Sequence, residues 1–207
     1  MKRFYNFYFK QELPIFVFII TVFVLGIIFG SFGIKTIDYG LRGDLFEYFN
    51  AFTGEFLELE YETTDLIKQS IKFNLISIGL FWIFALPVFT LPLIPFLIFL
   101  RGFVLGFTSA FLLNQFYLKG ILIVFFLIFP QNIFFIPAHI FSAVSGICLG
   151  RQIFHYYRGY KRLVWIAIKK SFNYFFICTV LSLLGILIEA YLSPVLMRLL
   201  FKVININ

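Results

Sequence analysis

From Ile71 to Gly150 the chain is almost continuously apolar, and Lys72, Arg101 and Lys119 are the only formal charges along that stretch. Such a run leaves too few polar residues to cover a surface facing water, so lipid must be the solvent for much of it. The bias extends to the whole chain: 13% of the 207 residues are charged, about half the usual fraction of a soluble domain. The 33 phenylalanines suit lipid-facing and helix-packing positions. The predicted fold class is an all-α integral membrane protein, a single polytopic domain over 1–207. It has about five transmembrane helices and an interfacial amphipathic helix after the first.

The net charge of +7 does not indicate nucleic acid, because the basic residues sit in short segments between apolar runs. There, positive charge sets orientation and attracts anionic lipid. Cys148 and Cys178 lie inside apolar runs and read as small buried hydrophobes.

A first span is expected over 14–33, with Lys2, Arg3 and Lys10 ahead of it in a 1–13 cytoplasmic segment. The apolar run is too long for the core of a secretory signal peptide, and further spans follow, so it is read as uncleaved. A second span is placed at 71–91, where Pro87, Pro92 and Pro95 crowd into a turn. The third covers 95–113, with Arg101 near its inner end and able to snorkel. Asn114 to Gly120 forms a polar connection. The fourth, over 121–149, exceeds one span's need and carries Pro130 and Pro137, which predicts a kinked or partly re-entrant helix. The last span is placed at 171–192, followed by a 193–207 tail.

Residues 34–70 contrast with all of this. Eight of the ten acidic residues fall between 34 and 69. Leu41, Leu45, Phe49, Phe52 and Phe56 recur at helical spacing, with Asp44, Glu47, Glu55 and Glu58 mostly elsewhere around the helix. That pattern predicts an amphipathic helix on the membrane surface or against a partner, interrupted at Gly54, with the four carboxylates as candidate partner contacts; a solvated acidic linker is the alternative. Residues 151–170, by contrast, hold Arg151, Arg158, Lys161, Arg162, Lys169 and Lys170 and no acid. Five spans put the amino terminus and this 150–170 loop on one side and the acidic segment on the other. The positive-inside rule then makes the loop cytoplasmic, and the acidic segment and the carboxy terminus extracytoplasmic.

Small residues recur one helical turn apart: Gly26 and Gly30, Gly102 and Gly106, and the stripe Ala138, Ser142, Gly146 and Gly150. They let helix backbones approach closely, which is how spans associate in lipid. Packing within the chain is the simpler use, and a homo-oligomer through these faces is left open. Gln131, Asn132 and His139 lie around Pro130 and Pro137 in the long fourth span. Each must find a partner or water, and proline frees carbonyls that Gln131 or Asn132 can occupy, with a polar cavity or pathway at a broken helix as the functional alternative. Glu189, the only carboxylate within a predicted span, is expected near the outer interface, within reach of water. His139 makes no metal site with His155 alone, and no cofactor is called for. There is no phosphate-cradling loop, no HExxH, no GxSxG and no paired carboxylates, so catalysis by this chain is not expected.

The stretches FLRGFVLGFTSAFLLNQ (Phe99 to Gln115), PQNIFFIPA (Pro130 to Ala138) and EAYLSPVLM (Glu189 to Met197), with DLFEYFNAF (Asp44 to Phe52), closely resemble the stage II sporulation protein M family of endospore-forming bacteria. The resemblance covers nearly the whole chain. It implies a mother-cell membrane protein at the sporulation septum that takes part in engulfment of the forespore. It also implies a scaffold that anchors stage II sporulation proteins D and P, the peptidoglycan hydrolases that carry the wall chemistry. Related sequences outside spore-formers lie beside transport components, so the alternative is a permease-like subunit working with a separate ATPase.

Overall fold

The computed structural model describes residues 2–38, 40–41, 43–48, 51, 63–157 and 164–204, and every described element is helical. The fold is all-α. In chain order the helices are α1 (Lys2–Thr36), α2 (Thr63–Ile83), α3 (Leu93–Ile123), α4 (Phe129–Tyr157), α5 (Val164–Leu187) and α6 (Ser193–Ile204). Wide π-type turns at Val124–Ile128 and Ile188–Leu192 join α3 to α4 and α5 to α6. Three stretches are long and apolar enough to cross a membrane: Glu12–Thr36, Val88–His155 and Ser171–Met197.

The second of these stretches is not one rod. Tyr117 takes φ 50° and ψ −123°, a left-handed conformation that breaks the helical ladder. The chain folds back there, and Gly120 returns against the Leu112 backbone. The break falls inside the polar NQFYLKG connection. Phe111, Leu112 and Ile123 close over the hairpin together with Ile34 of α1.

α2 ends at Ile83, short of the 71–91 span expected from hydropathy. The residue before proline avoids the α region, so Leu86-Pro87 stops the helix whatever the apolar run does. The Thr90 hydroxyl then lies 2.7 Å from the carbonyls of both Phe84 and Pro87 and shares its one hydrogen between them. This satisfies backbone acceptors that the helix end leaves open. Pro92 stands immediately before α3. At the other end of the long segment α4 continues to Tyr157, so Arg151 is helical rather than part of a loop.

The tightest seam joins α1 to α3, which run parallel. A Cβ on Gly26 would strike the Phe99 carbonyl oxygen and one on Gly30 that of Phe103; reciprocally, Gly102 faces the Phe23 carbonyl and Gly106 that of Ile27. Four glycines at four-residue spacing therefore bring two backbones into contact, a distance that no other residue permits. Ser31 adds its hydroxyl to the Ile27 carbonyl at 2.8 Å and reaches the Gly106 carbonyl of α3 at 3.3 Å. Phe99, Phe103 and Phe107 form a ring ladder on α3, with centroids 6.4 and 6.2 Å apart.

A second layer packs against the first. α2 and α4 also run parallel, with Gly146 set against the Phe81 backbone and Gly150 against Ala85. α5 runs back along α4, placing Cys178 beside Ala138 and Gly185 against the Phe135 ring. The main core joins the layers through Ile19, Phe23, Phe81, Ile94, Ile98, Ile140 and Val144.

Candidate functional site

α3 meets α1 through glycine, but it does not meet α2 in the same way. The space between α2, α3 and α4 is a cavity of about 780 Å³, lined among others by Ser70, Asn74, Arg101, Gln131, Asn132, His139 and Glu189. Most of the lining is apolar, contributed by residues such as Phe23, Leu97, Val104 and Phe135.

A hydrogen-bonded chain crosses this space. Arg101 of α3 donates through Nη2 to Asn74 Oδ1 of α2 at 2.5 Å. Asn74 donates through Nδ2 to the Ser70 carbonyl at 3.1 Å. The Ser70 hydroxyl donates to Glu189 Oε2 in the π-type turn after α5. Arg101 and Glu189, on different walls, are thus connected through two neutral residues of one helix, by way of the Ser70 backbone carbonyl. Arg101 also lies over the Phe135 ring, 5.6 Å from its centroid, a contact that helps hold a guanidinium away from water.

These positions bring together two residues that the sequence places at opposite ends of their spans. Arg101 was expected to snorkel from the inner end of its span, and Glu189 to sit near the outer interface. Instead both face one interior cavity. Arg101 lies two turns inside α3, and α2 carries the polar groups that bring it into register with Glu189. The wide turn at Ile188–Leu192 adds a residue's worth of rotation just where Glu189 must face inward.

α4 supplies the remaining polar wall. Asn132 donates through Nδ2 to the Ile128 carbonyl at 2.7 Å, at the end of the first π-type turn. Gln131 accepts from the Ser193 hydroxyl at 3.2 Å, which ties α4 to the start of α6. Pro137 lies inside α4 without ending it, and Pro130 is its second residue. The disturbance to regular pitch is instead the turn at Val124–Ile128, just before Pro130.

His139 is 1% exposed and forms edge contacts with the Phe81 and Phe135 rings at 6.0 and 6.5 Å. Its Nδ1 lies 2.7 Å from the Phe135 carbonyl. A carbonyl can only accept, so Nδ1 carries the proton and Nε2 of the neutral ring is an acceptor. That Nε2 is buried without a partner. Among the described residues, no group of three or more His, Cys, Asp and Glu side chains is placed to hold a metal.

The sequence-predicted glycines Gly26, Gly30, Gly102 and Gly106 form the α1–α3 seam and lie apart from the cavity. In the acidic segment Asp44 and Glu47 are exposed on a short helix at 43–48, whose Leu45 and Phe46 pack against the hairpin cluster. Phe46 meets Phe116 with ring centroids 6.1 Å apart. Glu55 and Glu58 lie outside the described residues. Sequence reasoning missed Ser70 and Asn74 as site residues. Their four-residue spacing on α2 was the available signal, since it puts both on one face of an otherwise apolar helix.

The fold and this cavity define a helical membrane protein with a largely apolar chamber crossed by a chain of polar residues. Polar residues of its lining fall in the three stretches that carry the resemblance, Arg101 in the first, Gln131 and Asn132 in the second and Glu189 in the third, and α2 adds Ser70 and Asn74. The chain belongs to the stage II sporulation protein M family, whose sequence profile matches residues 19–194, and it is therefore a sporulation-related membrane protein. No curated protein and no solved structure matches it.

Proposed function

We propose that this protein is a non-catalytic membrane scaffold, which anchors the peptidoglycan hydrolases of stage II sporulation, proteins D and P, at the septum. There it would act from the mother-cell membrane during engulfment. The observation that carries this reading is the short helix at 43–48. Leu45 and Phe46 fasten it to the α1–α3 hairpin cluster while Asp44 and Glu47 face outward. An acidic segment held in this way presents charge at a fixed position, which suits capture of a partner better than a free linker does.

The proposed topology has five crossings, with the amino terminus cytoplasmic and the acidic segment and carboxy terminus extracytoplasmic. It is supported by helix direction. α1 and α3 run parallel, so the chain returns between them, and α2 is the element available for that return. The Tyr117 reversal supplies another crossing within Val88–His155.

The test is affinity purification of the tagged protein from sporulating cells, with the hydrolases quantified by mass spectrometry. Replacing Asp44, Glu47, Glu55 and Glu58 with Asn or Gln should lower hydrolase recovery several-fold at unchanged scaffold abundance. Unchanged recovery would contradict this segment's role. The interior cavity is what favours the second reading, a permease-like subunit, and recovery of an ATPase without hydrolases would support it.

A further inference from the structure

We propose that the cavity between α2, α3 and α4 is a headgroup site for a zwitterionic phospholipid with a primary amine, its phosphate held by Arg101 and its ammonium by Glu189. The inference does not rest on the scaffold reading. It starts from unused bonding capacity. A guanidinium has five N–H donors, and Arg101 gives one to Asn74. A carboxylate accepts at about four positions, and Glu189 receives the Ser70 hydroxyl at one oxygen. His139 also lines the cavity, but its Nε2 is buried behind that surface and out of a ligand's reach. A ligand that satisfies this set brings an anion to the donor fork and N–H donors to the acceptors. The two charged walls cancel, so a singly anionic headgroup would leave Glu189 unmatched.

The apolar lining and the way in point to a lipid. The α2 and α3 backbones stay apart where Arg101 reaches Asn74, and the proposed opening of the cavity lies between these two helices. Phe73 and Val104 line that opening and are 65% and 61% exposed. In the proposed five-crossing topology such a mouth faces acyl chains. The volume of about 780 Å³ accommodates a headgroup with its glycerol. Polar groups inside a membrane are expensive unless they are matched, and this ligand matches the ones left over.

The experiment is native mass spectrometry of the full-length protein in detergent, after exchange into mixed micelles of phosphatidylethanolamine, phosphatidylglycerol or phosphatidylcholine. One phosphatidylethanolamine per chain should be retained, about ten-fold in preference to either competitor. Phosphatidylcholine tests the amine itself, since its quaternary nitrogen has no N–H to donate. Glu189→Gln should erase the preference over phosphatidylglycerol. Val104→Trp, on the exposed mouth, should abolish retention, and it decides the matter if Glu189→Gln fails to accumulate. Equal retention of the three lipids would overturn the proposal, as would full retention by Val104→Trp. Binding of soluble phosphoethanolamine with no lipid retained would overturn the lipid as occupant.

Discussion

α3 treats two of its neighbours, α1 and α2, differently. Towards α1 it presents Gly102 and Gly106, and the backbones touch with nothing between them. Towards α2, one residue away at Arg101, it presents a long cation that spans a gap and holds it open. The first seam is dry and fixed by shape, and the second is polar and fixed by hydrogen bonds. In lipid the hydrophobic effect cannot choose between helix partners, so these two devices must set the architecture. The dry seam positions α3, and the adjacent residue uses that position to build a chamber.

Breaking the dry seam should have the largest effect. Gly30→Leu would drive a side chain into the Phe103 carbonyl. Overpacking costs about 1–3 kcal/mol where neighbours can yield, and backbone cannot, so the variant should fail to accumulate in membranes. The control is Gly79→Ala, a helical position with nothing within 4 Å. Immunoblotting of membrane fractions should find this protein at normal abundance.

The polar seam should fail differently. Glu189→Leu strands Arg101 and should destabilise the protein by about 3 kcal/mol. The double variant Arg101→Leu/Glu189→Leu should recover part of that loss, because no uncompensated charge remains. Fluorescence-monitored thermal unfolding in detergent would reveal the recovery. A double variant as unstable as the sum of its parts would mean that the two groups act independently.

Tyr117 lies outside both seams and offers a smaller effect of opposite sign. Its φ of 50° and ψ of −123° suit glycine at the first central position of a type II′ turn. Tyr117→Gly should therefore stabilise by about 1 kcal/mol in the same unfolding assay. The smallest effect is expected at Asp44→Asn/Glu47→Gln. These exposed positions should shift stability by less than about 0.5 kcal/mol, and any change in hydrolase capture can then be read as recognition.

The sequence made the dry seam easier to read than the polar one. Glycines at i and i+4 share a helix face whatever the span boundaries, so Gly26, Gly30, Gly102 and Gly106 stand out without knowledge of depth. The Asn114–Gly120 connection is legible because polar residues interrupt an apolar run, and the reversal at Tyr117 falls within it. Arg101 and Glu189 were not legible as neighbours. Hydropathy places a span to within a few residues, and an error of one turn moves a side chain from interface to interior. Hydropathy also cannot register a π-type turn, yet the turn at Ile188–Leu192 carries Glu189. Ser70 and Asn74 escaped notice because small polar residues in spans usually bond their own helix, as Ser77 does to the Phe73 carbonyl at 2.7 Å.

The central claim is that the polar residues of α2 meet Glu189 inside the helix bundle. Its most direct test is cross-linking of Ser70→Cys to Glu189→Cys by a short bifunctional thiol reagent in native membranes, with Cys148 and Cys178 changed to Ala. Rapid cross-linking is predicted for this pair but not for Ser70→Cys with Leu184→Cys, whose side chain is exposed on the outside of α5. Equal cross-linking of the two pairs, or none at Ser70 and Glu189, would contradict the chamber and with it this account of the fold.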